Sequence, residues 1–248
     1  MRAMPSTNAT LLAQLAPTGV LRAGINMSNF LLVNGRTPDG GPAGVSPSLA
    51  TAIAERLGVP VRHVPYPRPG ELADDAGTGA WDIGLIGAEP QRAEKIAFTA
   101  AYAEIEATYM VPPGSAITSI DQVDRPGVRI AVTARAAYDL WLERNIRHAT
   151  LVRAEGVGGG VELYLREGLD ALAGLRPGLL PDLEKQPGAR ILDGRFTAVQ
   201  QAIGTARANA EGAAFLHGFV EEAKASGLIA RLIARHGVEG LSVAPPAG

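Results

Sequence analysis

The sequence predicts an α/β fold, and three observations carry that prediction. Short extended-type runs alternate with helical patterns along the chain, which is the order that parallel βαβ units produce. One of the helices is marked at both ends by the residue types that start and stop helices. Of the 248 residues 46% are hydrophobic and 19% charged, enough apolar material to bury the core of one large domain or two smaller ones.

Taken in order, Val20 to Ile25 reads as a strand after the turn pair Thr18-Gly19, and Gly35 to Gly44 as a Gly/Pro-rich loop. Ser46 is placed to cap the next helix and Pro47 to take its first position, while Leu49, Ile53 and Leu57 recur at intervals of four. Gly58 follows where a left-handed C-terminal cap is expected. Val59 to Tyr66 is extended, and its Pro60 and Pro65 suit a sheet edge or a short strand. Trp81 to Ile86 is a third extended run, followed by a polar turn and Phe98 to Tyr102. Val128 to Val132 predicts a strand, Ala137 to Asn145 a helix and Leu151 to Ala154 another strand. The loop Gly156 to Gly160 leads into a helix over Val161 to Glu167, and Leu169 to Ala173 reads as a buried strand. Phe215, Phe219 and Ala223, then Leu228 and Leu232, set two C-terminal helices before a break at Gly237.

Several function classes find no support. The formal net charge is -2, from 23 basic and 25 acidic residues, without the basic stripe of a nucleic-acid binder. Only Lys95, Lys185 and Lys224 are lysines, so in so Arg-rich a chain a surface Arg carries little weight. There is no Cys, which removes disulfides and thiolate chemistry. The four His residues, at 63, 148, 217 and 236, lack metal-ligand spacing. The run Gly156-Val157-Gly158-Gly159-Gly160 lacks the Gly-Lys-Ser/Thr ending of a phosphate loop, and Val161 breaks G-x-G-x-x-G. It reads as a strand-to-helix loop whose amides could help hold an anion. The neighbouring carboxylates Asp74-Asp75, Glu104 and Glu106, and Glu221-Glu222 read as solvated faces. No catalytic group, metal or cofactor is therefore expected. Met1 to Val20 lacks the basic start and continuous apolar run of a secretory signal, and no segment approaches the ~20 apolar residues of a membrane span.

A series of segments, in order, resembles the family 3 extracellular solute-binding proteins, the periplasmic amino-acid-binding group. They are Gly19-Val20-Leu21-Arg22-Ala23-Gly24-Ile25, Gly44-Val45-Ser46 through Ala54-Glu55-Arg56-Leu57-Gly58, and Trp81-Asp82-Ile83-Gly84. The most recognisable is Pro90-Gln91-Arg92-Ala93-Glu94-Lys95-Ile96-Ala97-Phe98-Thr99, closed by Tyr102, and Gly127 to Val132 is similar to the strand that opens the second lobe. The resemblance covers most of the chain from about Thr18.

It implies two Rossmann-like lobes joined by two hinge crossings, with a ligand cleft between them, as in the type II periplasmic-binding proteins. The first lobe would hold residues 1–107 and 200–248, the second 112–192, and the crossings 108–111 and 193–199. Arg92 matches the family's carboxylate-binding arginine, whose planar fork suits a carboxylate. Asn26, Asn29 and Phe30 stand where relatives place polar and aromatic contacts, although Phe30 is equally readable as core. Gly87 and Glu89 occupy the shortened segment before Arg92, where Leu85, Gly87 and Ala88 replace the usual hydroxyl residues. In the second lobe the amides of Arg135 and Ala136 could meet the carboxylate, and Arg135 or Arg176 could meet a second anionic group; Tyr138 reads as packing. The acid expected near Gly174 or Leu175 to grip an ammonium is missing.

These features predict a non-enzymatic, monomeric solute-binding protein of an ABC-type importer, with a permease as partner and no nucleic-acid or membrane insertion. Its ligand would be a small carboxylate-bearing metabolite whose α-amino group, if any, is not held in the usual way. By resemblance the location is periplasmic. The alternatives are a dehydratase-like enzyme with Glu89 or Glu106 as acid, or a cytoplasmic ligand sensor.

Overall fold

The computed structural model describes residues 9–156 and 158–248. The N-terminal reading over residues 1–8, and Val157 of the glycine run, lie outside the described residues. The chain forms two compact units, the first reaching to Ala103 and resuming at Gln201–Gly248, the second being Glu104–Gln200. The segments 108–111 and 193–199, expected as crossings, both fall inside the second unit.

The first unit runs α1 (Ala9–Leu15), β1 (Leu21–Asn26), the small hairpin β2 (Gly35–Arg36) and β3 (Pro42–Ala43), α2 (Val45–Leu57), β4 (Val61–Tyr66), α3 (Pro69–Asp74), β5 (Ile83–Gly87), α4 (Pro90–Ala93) and β6 (Ile96–Phe98). Two long strands, β7 (Ala103–Val111) and β12 (Thr197–Ala206), carry the chain out and back. The second unit holds β8 (Arg129–Thr133), α5 (Ala137–Asn145), β9 (Thr150–Ala154), α6 (Gly159–Glu167), β10 (Ala171–Leu175), α7 (Arg176–Glu184) and β11 (Arg190–Ile191). After β12, α8 (Ala210–Ala225), α9 (Leu228–Arg235) and β13 (Ser242–Val243) complete the first unit.

Each unit is built on the same plan. In the first, β4, β1 and β5 lie side by side in that order and run parallel, so a helix must carry the chain back between them. The unit's part of β12 pairs antiparallel with β5, setting Gln201 opposite Gly87 and Ile203 opposite Leu85. In the second unit β9, β8 and β10 run parallel, and β10 pairs antiparallel with β7. Successive β7 residues serve opposite faces, as strand geometry requires. Tyr109 and Val111 pack with Ile130, Val132 and Leu142, while Met110 packs with Ala131, Leu163 and Leu179. Helices thus cover both faces of the second unit's sheet, which is why its strands read as continuous apolar runs.

The Trp81-Asp82 pair is architectural. The Trp81 indole donates to the Leu72 carbonyl at 3.0 Å. Asp82 accepts from the Arg22 backbone amide at 2.8 Å and from its guanidinium at 2.5 and 3.0 Å, which clamps β1 to the entry of β5.

Local differences from the sequence reading have physical causes. Ser46 does not cap α2: the helix begins at Val45 with Gly44 before it, and the buried Ser46 hydroxyl lies 3.0 Å from the Tyr102 hydroxyl. Pro47 sits at the third helical position, still inside the first turn where its missing N–H costs no helical bond. Gly58 does take the left-handed conformation, with φ of 72°. Phe98 ends β6, and Thr99 to Tyr102 is not strand; Tyr102 is instead drawn into the core by Ser46. Leu169 lies just past the Gly168 cap of α6, where its amide donates to the Tyr164 carbonyl at 3.1 Å, and β10 begins two residues later.

Gly44 has φ of 150°, and a Cβ there would stand 2.3 Å from the Leu32 carbonyl oxygen. That carbonyl accepts the Ser46 amide at 3.1 Å, so the close approach ties the loop after β1 to α2. Gly44→Ala is expected to lower unfolding free energy by about 2–4 kcal/mol, read from the urea midpoint. In the second unit, the Asp124 carboxylate accepts the amides of Arg147, His148 and Ala149 at 2.9, 2.7 and 2.9 Å. Burial alone would raise its pKa, but the three amides outweigh it and hold the pKa below the ordinary range. Because the folded pKa is depressed, this stabilisation is present above the unfolded value of about 3.9 and lost as pH falls through the folded one. Asp124→Asn should therefore cost about 1–2 kcal/mol at pH 7, and the gap between variant and parent in urea melts should narrow below about pH 4.

Candidate functional site

Strand order singles out one place in each unit. From β1 the chain crosses through α2 to β4 on one side, then through α3 to β5 on the other side of β1. The carboxyl ends of β1 and β5 therefore form a topological switch point, the crevice where open α/β sheets bind ligands. In the second unit β8 leads to β9 on one side while β10 lies on the other, so its switch point is at the ends of β8 and β10.

At the first switch point Asn26 ends β1 and is followed by Asn29 and Phe30, and Gly87 ends β5 and is followed by Glu89 and Arg92. The Asn26 side-chain oxygen accepts from the Ser28 amide at 3.2 Å and the Ser28 hydroxyl at 2.7 Å. That of the buried Asn29 accepts from the Leu31 amide at 3.2 Å. These local bonds are the turns that Asn side chains favour, and they hold the loop's shape. Leu31, Leu32 and Val33 are buried, whereas Phe30 is 48% exposed. Phe30 is therefore not part of the buried core.

Beyond Gly87 the chain is steered by Pro90. A proline disfavours helix at the residue before it, and Glu89 is accordingly extended, with φ of -137° and ψ of 145°. The Glu89 carbonyl accepts the amides of Arg92 and Ala93, both at 2.9 Å. The tight turn that results carries Arg92 inward, where it is 6% exposed, and Glu89 is 7% exposed. Arg92 Nη1 donates to the Gly87 carbonyl at 2.7 Å. A guanidinium presents five N–H donors in a planar fork. Gln201, 3% exposed and opposite Gly87 in register, joins this neighbourhood and was not found by sequence reasoning. It lies far along the chain, and only the β5–β12 pairing brings it here.

The second switch point is occupied by the protein's own charges. Arg135 has φ of 62°, the one positive value among the described non-glycine residues. Its amide donates at 2.8 Å to Asp139 Oδ2. Asp139 is buried and also accepts from Arg153 Nε at 2.9 Å. Burial raises the Asp139 pKa above the ordinary carboxylate range, against the lowering effect of the Arg135 amide and Arg153. The Arg135 amide, expected to meet a ligand anion, is thus engaged with an internal carboxylate. The Ala136 amide likewise donates to the Thr133 carbonyl at 3.3 Å. Arg176, read as a partner for a second anion, donates from Nε to Glu106 at 3.1 Å, and from Nη2 to the carbonyls of Leu192, at 3.2 Å, and Gly194. It is an internal strut of the second unit. Tyr138 packs against Ala107, Val199 and Phe196 in that unit's core.

Polar and charged groups collected at the carboxyl ends of parallel strands, in a two-unit α/β chain, define a binding protein for small solutes. The chain belongs to the bacterial extracellular solute-binding proteins, family 3, whose model matches residues 22–239. Solved structures of similar fold include a mutant of ArgBP from T. maritima, with a TM-score of 0.71 at 21% identity, covering 92% of this chain and 100% of that one. Another is an ancestral amino-acid-binding protein described as a precursor of cyclohexadienyl dehydratase, with a TM-score of 0.70 at 21% identity, covering 91% and 98%. A third is the amino acid ABC transporter substrate-binding protein AbpA from Streptococcus pneumoniae bound to L-arginine, with a TM-score of 0.70 at 18% identity, covering 91% and 98%. No curated protein matches the chain. Among the described residues no helix is long and apolar enough to cross a membrane, and no group of three or more His, Cys, Asp or Glu is placed to hold a metal ion.

An aromatic ring outside the core contributes little to folding. Phe30→Ala should shift the unfolding free energy by no more than about 0.5 kcal/mol in urea melts, well below the 3–5 kcal/mol typical of a core Phe.

Proposed function

We propose that this chain is the solute-binding component of an ABC-type importer, working in the periplasm, and that it captures a small carboxylate-bearing metabolite by closing its two units over it. Arg92 is the carboxylate-binding group. The observation that carries the reading is the buried Arg92 side chain, held by the Gly87 carbonyl at the first unit's switch point. Charge-assisted bonds from a guanidinium to a carboxylate contribute roughly 1.5–3 kcal/mol each, and more where water is excluded. The family supports a solute-binding role, and the substrate-binding protein of an amino acid ABC transporter named above supports the permease partnership. Phe30, exposed beside the same strand ends, is proposed to lie against an apolar part of the ligand. Asn26 and Asn29 are proposed to offer side-chain N–H donors to solute oxygen atoms, their Oδ1 atoms accepting local bonds.

The precursor of cyclohexadienyl dehydratase supports a second reading, in which the same fold eliminates water from a cyclic carboxylic acid. The buried Glu89 is then the candidate acid. Glu106 is a poorer one, because it already pairs with Arg176 and Arg195. Prephenate-like acids separate the readings: a transporter component binds without turnover, whereas an enzyme releases product catalytically.

Calorimetry on protein stripped of bound solute tests the first reading, using the standard L-amino acids and their des-amino carboxylic acids. Arg92→Ala should lower affinity for any ligand bound by the parent by about 100-fold or more, and Arg92→Lys should not restore it, since Lys lacks the fork. Unchanged affinity in a folded Arg92→Ala protein would sink the assignment.

A further inference from the structure

We infer that Gln201 determines specificity at the first unit's switch point: its carboxamide reads an uncharged hydroxyl or amide group, so the solute is a carboxylic acid that carries such a group. The inference rests on Arg92 holding the carboxylate.

Gln201 is 3% exposed, yet among the described residues its carboxamide makes no hydrogen bond. Other buried polar side chains of the first unit are satisfied by the chain itself. The Ser46 hydroxyl meets that of Tyr102, Asp82 accepts from Arg22, Thr99 Oγ1 donates to the Ala100 carbonyl, and Thr205 Oγ1 donates to the Asp82 carbonyl. Burying an amide without a partner is unfavourable. The two amide atoms of Gln201 are not among the polar atoms both sealed from solvent and unpartnered. The carboxamide therefore opens on space that water reaches, and a group of the solute can take the water's place.

Strand register says where that space is. Gln201 stands opposite Gly87 across the β5–β12 pair, and residues directly opposite one another project from the same face of a sheet. Gly87 has no side chain, so none from β5 stands beside the carboxamide. The next pair on that face, Leu85 and Ile203, is apolar and buried. Gln201 thus marks where the apolar core of this face ends, level with the last residue of β5. Its own carbonyl accepts the Tyr102 amide at 2.8 Å, which fixes the backbone there. The Gly87 carbonyl takes Arg92 Nη1 at 2.7 Å. Gly87 adjoins both groups, and a solute whose carboxylate meets Arg92 brings its following atoms toward Gln201.

A carboxamide has two N–H donors and an accepting oxygen, which suits a hydroxyl or an amide because each of those also donates and accepts. It carries no charge and cannot offset a buried ion. A site that hydrogen-bonds a group rejects the analogue lacking it, since its own polar group is then left unpaired.

The experiment is isothermal calorimetry on the full chain, unfolded and refolded to strip bound solute. The probes are paired acids in which a hydroxyl or a carboxamide replaces one hydrogen: lactate and propionate, malate and succinate, serine and alanine, asparagine and alanine. The parent is expected to bind at least one substituted acid about 10-fold or more tightly than its plain partner. Gln201→Met, similar in length and apolar, is expected to remove that preference by weakening the substituted acid, with the plain acid bound equally or more tightly. Its urea midpoint should equal or exceed the parent's, because no hydrogen bond of the fold is lost. Equal binding of both members of every pair by the parent, a preference retained in Gln201→Met, or an equal loss for both members there overturns the inference while leaving Arg92's role intact. A lowered urea midpoint in Gln201→Met shows an amide already used by the fold and overturns it as well. Failure of every acid to bind overturns the carboxylate-capture reading itself.

Discussion

Withdrawing a guanidinium from water is the constraint around which the first unit is arranged. The desolvation penalty of a buried ion is several kcal/mol after relaxation, so Arg92 needs its surroundings fixed before it can sit inward. The Gly87 carbonyl supplies one partner, and Pro90 supplies the turn by forcing Glu89 into an extended conformation. The carbonyl is itself positioned by β5, which β1 flanks on one side and β12 on the other. The Arg22–Asp82 clamp then sets β5 against β1. Each of these layers is ordinary. Their sum places a buried cation just beyond the carboxyl end of β5.

The two units share a plan but use their switch points differently. The first places charged and polar side chains on loops shaped by local turns. The second turns its charges inward: Asp139 takes the amide that opens α5, and Arg176 braces Glu106 and the carbonyls beyond β11. Internally satisfied groups of this kind add rigidity and offer little further bonding capacity. The left-handed Arg135 belongs to the same device. A non-glycine residue there costs about 1–2 kcal/mol, and its amide is the one that Asp139 holds.

Much of the fold was legible because it rests on local signals. The period-four apolar residues of α2 and the glycine after it located that helix, and the span Ala137–Asn145 of α5 was read directly from its pattern. The site was legible only where a motif carried it, in Pro90 to Arg92. Ser46 was misread because its hydroxyl answers to Tyr102, a partner fixed by tertiary packing and not by helix-end chemistry. The engagement of Arg135 by Asp139 could have been suspected from a carboxylate four residues on, at a helix start, but nothing local announced that it would be buried. Gln201 left no trace at all. Its place beside Gly87 is a property of strand register between segments more than a hundred residues apart.

Capture of a solute by closure of two units, as proposed above, requires that the ligand favour the closed state by its own differential contacts. On the reading proposed here, the first unit carries the charge recognition and binds the solute while one side is still wet. Closure then removes water from the Arg92 ion pair, which strengthens it without any new charged contact. At the second unit's switch point Asp139 and Arg176 are already engaged with groups of that unit.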